Sequence, residues 1–282
     1  MVVIEKPYWV GHNIESESGA TQQSAPIFSV HVHPDGTRFA TAGQDNTCKI
    51  WAIAPLLDVS ESEKPVSEPE RPRILAVLSH HTSSVNCVRW SYSGKFLASS
   101  SDDTFVMLWE LQPGMPSTTP FGSTPSGACL ENWNRVLCFR GHTSDVVDLA
   151  WAPRDDMLAS CSVDNTVRVW RVSMHSQQTH LPECLAVLTG HSGMVKGVAW
   201  DPMGKLLASK GDDGRLVITG THDWSTVATI TAPFEAAPEC PSFFQRPAFS
   251  SDGMFLAATN AVRAFLQLSW GGSPLPPFHF FL

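Results

Sequence analysis

Apolar and polar residues alternate along this chain in short runs. Val147, Leu149 and Trp151 occupy every second position, and a turn-forming stretch follows at 153–156. A second apolar run spans 157–160, a tight turn 163–165, a third run 167–170, and a fourth 185–188. Runs this short and rich in β-branched residues, separated by Gly, Asp and Asn, predict antiparallel strands.

The pattern repeats. Eighteen residues after His81, His142 and His191 stand Ser99, Ser160 and Ser209. Twenty-two after them stand Asp103, Asp164 and Asp213. Twenty-eight after the first two come Trp109 and Trp170, whereas the third has Thr219. Upstream, Thr41, Asp45 and Trp51 keep the same mutual spacing, with His12 as their histidine across an insertion. Four strands per unit, repeated at this length, predict propeller blades.

Gly141-His142 with Val169-Trp170, and Gly190-His191, resemble the landmarks of WD40 repeats. The aspartate of the terminal dipeptide is replaced by Ala52, Glu110 and Arg171. The resemblance implies a buried chain in each blade: carboxylate to histidine, histidine to hydroxyl, and hydroxyl to indole N–H. With every polar atom paired, such a chain is buried without a large desolvation cost. Ser160, His142 and Asp164 also have the composition of a hydrolase triad. The same set recurs twice, and no Gly-x-Ser-x-Gly elbow surrounds these serines. A structural device repeats where a catalytic centre does not, so no catalytic residue, cofactor or metal site is expected. His31 and His33, two apart on one strand, have no third ligand at metal-binding spacing.

Composition narrows the partners. The 282 residues carry a net charge of −8 and no Lys/Arg block, which disfavours direct sequence-specific nucleic-acid binding. No stretch has the length of a membrane helix, and residues 1–10 are no signal peptide. Seven cysteines with no Cys-x-x-Cys pair suit a reducing compartment.

The expected fold is all-β: a WD40 β-propeller with four full blades, at 27–78, 84–137, 145–188 and 194–230, plus part of a fifth at 243–260. Insertions at 54–73, 112–132 and 173–183 fall between third and fourth strands, as variable surface loops or a partner-binding rim. Residues 1–260 make the repeat region. Residues 261–282 carry no repeat landmark and read as a disordered or aberrant tail, as if a longer protein were truncated or read differently.

Several segments resemble the HIRA-type (histone regulator A) chaperone subunit. They are Glu5-Lys6-Pro7-Tyr8-Trp9-Val10-Gly11-His12, Val85-Asn86-Cys87-Val88-Arg89-Trp90, and the insertion with Phe121-Gly122-Ser123 that ends Glu131-Asn132-Trp133. Ala159-Ser160-Cys161-Ser162-Val163-Asp164, Val195-Lys196-Gly197-Val198 and His222-Asp223-Trp224 continue the likeness in order. The resemblance implies a seven-bladed ring, here incomplete, in a nuclear complex with a ubinuclein-like subunit. Such a complex handles core histones, assembles nucleosomes independently of replication and represses transcription. A generic WD40 interaction adaptor and a non-functional fragment remain the alternatives.

Overall fold

Strand after strand ends where one residue takes a left-handed backbone. Between first and second strands that residue is Gly36, Gly94, Gly204 or Gly253, each with φ of 71–73°, and Asp155 at 59° in the third repeat. Between second and third strands it is Asn46, Thr104, Asn165 or Gly214. Gly, Asn and Asp accept this conformation at little steric cost. Such turns reverse the chain within a few residues and bring consecutive runs into antiparallel register.

The structure is a computed structural model that describes residues 10–15, 22–54, 74–113, 130–172, 182–235, 242–259, 265–267 and 279–281. The bodies of all three expected insertions, the motif Phe121-Gly122-Ser123 and residues 1–9 lie outside the described residues.

The fold is all-β, as expected for a WD40-type propeller. A two-stranded ribbon pairs β1 (His12–Glu15) with β2 (Gln22–Ala25). Five four-stranded antiparallel sheets follow among the described residues. The first holds β3 (Ile27–Val32), β4 (Arg38–Gly43), β5 (Cys48–Ala52) and β6 (Ile74–Leu78). The second holds β7 (Val85–Trp90), β8 (Phe96–Ser101), β9 (Val106–Leu111) and β10 (Trp133–Phe139). The third is β11 (Val146–Trp151), β12 (Met157–Ser162), β13 (Val167–Arg171) and β14 (Glu183–Leu188). The fourth is β15 (Val195–Trp200), β16 (Leu206–Gly211), β17 (Leu216–Gly220) and β18 (Thr226–Ile230), followed by one helical turn, α1 (Ala232–Glu235). In each sheet the strands neighbour one another in chain order.

The fifth sheet departs from the sequence expectation. β19 (Ala248–Phe249) and β20 (Phe255–Ala257) are its first strands, and Phe265–Gln267 (β21) and His279–Phe281 (β22) are its third and fourth. The expected boundary at residue 260 therefore falls between the second and third strands of this sheet. The physical reason is that β20 offers a free edge of backbone N–H and C=O groups, which any extended segment in reach can pair without a landmark side chain.

The chain divides into two compact units, Met1–Ser99 with Leu108–Val136, and Ser100–Met107 with Leu137–Leu282. In the first unit, β3 lies beside β7: Val88 N–H donates to Ser29 Oγ at 3.2 Å, and Trp90 N–H to His31 Nδ1 at 3.0 Å. In the second, a buried apolar cluster of Val147, Val167, Val169, Val198, Trp200 and Leu207 joins the third and fourth sheets. The buried Asp148 carboxylate accepts Val198 N–H and Arg246 Nε, both at 3.1 Å. Gly197 on β15 has to be glycine: a Cβ there would stand 2.2 Å from the Gln245 carbonyl.

Candidate functional site

The repeated histidine, hydroxyl and aspartate converge in the first, third and fourth sheets, and in the second His81, Ser99 and Trp109 do. Asp45, Asp103, Asp164 and Asp213 open the turns between second and third strands. Each accepts the backbone N–H two residues on, from Thr47, Phe105, Thr166 and Arg215, at 3.0–3.1 Å. This local turn explains why the carboxylate stands at a fixed offset, since a short acidic side chain caps its own reversal. The histidine comes from the loop before the first strand in the second, third and fourth sheets and from β1 (His12) in the first; the hydroxyl comes from the second strand, and in the first three sheets an indole comes from the third.

In the third sheet, His142 Nδ1 is 2.8 Å from Asp164 Oδ2, His142 Nε2 is 2.8 Å from Ser160 Oγ, and Trp170 Nε1–H donates to Ser160 Oγ at 2.8 Å. The first sheet repeats this with His12, which lies 2.6 Å from Asp45 and 2.8 Å from Thr41 Oγ1, while Trp51 donates to the same hydroxyl at 2.8 Å. In the second, Ser99 Oγ bonds His81 Nε2 at 2.8 Å and receives Trp109 Nε1–H at 2.9 Å. In the fourth, His191 bonds Asp213 at 3.1 Å and Ser209 Oγ at 2.9 Å, and Thr219 occupies the tryptophan position. With the carboxylate accepting from Nδ1–H, Nε2 is the acceptor, so the hydroxyl donates to histidine and accepts from indole.

Electrostatics follow from these bonds. Burial alone raises Asp164, but hydrogen bonds from His142 and Thr166 outweigh it and hold the carboxyl well below the usual range. Asp45 is held down in the same way by His12 and Thr47. Asp213 is lowered too, through Ser192 N–H and His191 against its burial. Burial pushes His191 below its ordinary value, with the nearby Asp213 opposing, and keeps it neutral near pH 7.

Although His142, Ser160 and Asp164 have triad-like distances, Ser160 is fully buried and its oxygen is occupied by Trp170. Among the described residues no group of three or more His, Cys, Asp or Glu side chains is placed to hold a metal ion. His31 Nδ1 accepts the Trp90 N–H, and burial with Arg89 nearby lowers the ring to about 4. His33 Nε2 donates to the Gly94 carbonyl at 2.9 Å.

One cluster in the first unit has no signal in the repeat. Arg38 Nη1 bonds Glu131 Oε1 at 2.6 Å, and Trp133 Nε1–H donates to Glu131 Oε2 at 2.8 Å. Trp133 packs edge-on against Trp90, which meets His33 in the same way. The backbone N–H groups of Leu130 and Glu131 both donate to the Leu75 carbonyl on β6. A cavity of about 270 Å³ opens here beside Arg38, Lys95, Glu110 and Trp133. Arg38 and Glu131 are 93 residues apart, so periodic spacing does not pair them.

Comparison with known proteins places this arrangement. Residues 20–264 match the profile of the CAF1B/HIR1 beta-propeller domain. The chain is 44% identical over 259 residues to Protein HIR1 of Cryptococcus neoformans, covering 92% of this chain and 27% of that protein. It is 42% identical over 256 residues to Protein HIR1 of Mycosarcoma maydis, covering 91% of this chain and 24% of that protein. Protein HIRA of Homo sapiens is 42% identical over 262 residues, 91% of this chain and 24% of its own length. The chain thus spans about a quarter of the length of these relatives. With four-stranded antiparallel sheets and that match over most of its length, the chain belongs to the CAF1B/HIR1 β-propeller family, as a HIRA-type propeller.

Proposed function

We propose that this chain is a non-catalytic scaffold of a HIRA-type histone chaperone complex. It would offer rigid sheet edges and loops to a ubinuclein-like subunit, with core histones reached through the complex. The work proposed is replication-independent nucleosome assembly and transcriptional repression in the nucleus. The observation that carries the reading is the family match over residues 20–264. The internal chemistry supports it. The most reactive-looking side chains, His142, Ser160 and Asp164, are occupied by one another and by Trp170, so binding falls to the surface. The cluster of Arg38, Glu131 and Trp133 fixes the exit of the 112–132 segment and gives such a surface a firm base.

The test is a pull-down of a ubinuclein-like peptide by the 282-residue chain and by a longer form that contains it. Retention that survives Ser160→Ala in the folded protein supports the scaffold. Failure of the longer form to bind, or hydrolytic activity lost with Ser160→Ala, counts against it.

A further inference from the structure

The fourth sheet lacks a tryptophan that the first three have. Trp51, Trp109 and Trp170 each stand ten residues after the hydroxyl they donate to, and ten after Ser209 stands Thr219. The backbone register is unchanged. Thr219 pairs with Leu207 just as Trp170 pairs with Leu158, and the same irregularity precedes each of them. Only the side chain differs.

The vacated space is open. A cavity of about 260 Å³ is lined by Leu188, Gly190, His191, Ser209, Val217 and Thr219. These are the counterparts, at the same offsets, of Phe139, Gly141, His142, Ser160, Arg168 and Trp170. In the third sheet that surrounding is filled. Phe139 and His142 flank the Trp170 ring at 5.4 and 6.3 Å between centroids, and a Cβ on Gly141 would come within 3.0 Å of it. A Cβ on Gly190 would meet only Val217, at 3.5 Å. Trp224 forms a further wall, held edge-on to Trp200. Exposed Val187, Thr189 and Thr226 line the cavity as well, so a ligand can enter from solvent. An engineered cavity of roughly 150 Å³ holds benzene, so this one has room for a bicyclic ring.

The polar end is also preserved. His191 bonds Ser209 Oγ at 2.9 Å as its counterparts do. With Nε2 of a neutral histidine accepting, the hydroxyl donates its O–H to it and keeps its lone pairs free to accept from an N–H donor. We infer that this cavity is a binding site for an indole ring, seated as Trp170 is seated, with its N–H on Ser209 Oγ. The ring is supplied either by a free indole compound or by a tryptophan side chain of a partner polypeptide.

The test is a titration of the 282-residue chain with indole, N-methylindole and a short tryptophan-containing peptide, followed by ¹⁵N–¹H NMR. Indole is expected to shift the Ser209, Val217 and Thr219 amides saturably. N-methylindole, which has no N–H, is expected to bind several-fold to about tenfold more weakly. Ser209→Ala removes that difference, and Thr219→Trp fills the space and abolishes binding while leaving the fold intact. Peptide binding tighter than free indole identifies a partner side chain as the source, and the reverse identifies a small molecule. The wild-type protein alone keeps the inference testable if Thr219→Trp does not fold. No shift with either indole source overturns it, as do shifts elsewhere or equal affinity for indole and N-methylindole.

Discussion

At the scale of single residues, the buried hydroxyls of Thr41, Ser99 and Ser160 each carry two partners, a histidine and an indole. Ser160 Oγ donates to His142 and accepts from Trp170. Ser160→Ala leaves both without their bond in a site closed to water, so a loss of about 1–3 kcal/mol is expected in urea unfolding. Ser209→Ala, with no indole to strand, is expected to cost less than Ser160→Ala in the same measurement. Equal costs would mean that the indole bond contributes nothing. In the second to fourth repeats these residues were legible in the sequence because the loop, two strands and turn that carry them are consecutive, so their offsets are constant; in the first only the histidine is displaced, to β1. The Arg38–Glu131 pair was not legible, since Arg38 lies on β4 and Glu131 in the segment before β10, and no spacing links them. Thr219 was visible as a threonine in a tryptophan column. The cavity it leaves was not, because a void is a property of neighbours.

Turns dominate at the scale of elements. Thr104 is β-branched and held at φ 71°, where Asn46, Asn165 and Gly214 serve the other sheets. Thr104→Gly is expected to raise stability by about 1 kcal/mol through relief of that strain, read as a higher urea midpoint. An unchanged or lower midpoint would show the strain to be small. At Gly197 the opposite holds. Gly197→Ala forces a Cβ against the Gln245 carbonyl and the Arg246 Cα, so a loss of at least about 3 kcal/mol or failure to fold is expected. Strand positions in the third repeat followed from apolar alternation between Gly, Asp and Asn turns. β21 and β22 did not, because the pairing that places them is between backbone atoms and carries no side-chain landmark.

For the whole molecule, pH is the lever that acts on many sites together. His31 and His191 are lowered in the fold, so the unfolded chain takes up protons first as pH falls below about 6.5. Stability is therefore expected to drop between pH 6.5 and about 4. Asp45, Asp164 and Asp213 are also lowered, so below about 4 the unfolded carboxylates protonate first and stability falls again. Urea midpoints that decline from pH 7.5 to 5 and again to 3.5 fit this account, whereas a flat stretch between 7.5 and 5 does not. The HIRA-type likeness was legible over nearly the whole chain because it rests on residue order. Partners were not, since an interface need not repeat. The central claim is that the recurring histidine, hydroxyl, aspartate and tryptophan sets brace the interior of the sheets. Hydrogen exchange at the indole N–H groups of Trp51, Trp109 and Trp170 tests it most directly. The account predicts that all three exchange only as slowly as the core strands unfold, and fast exchange of these protons in the folded protein would contradict it.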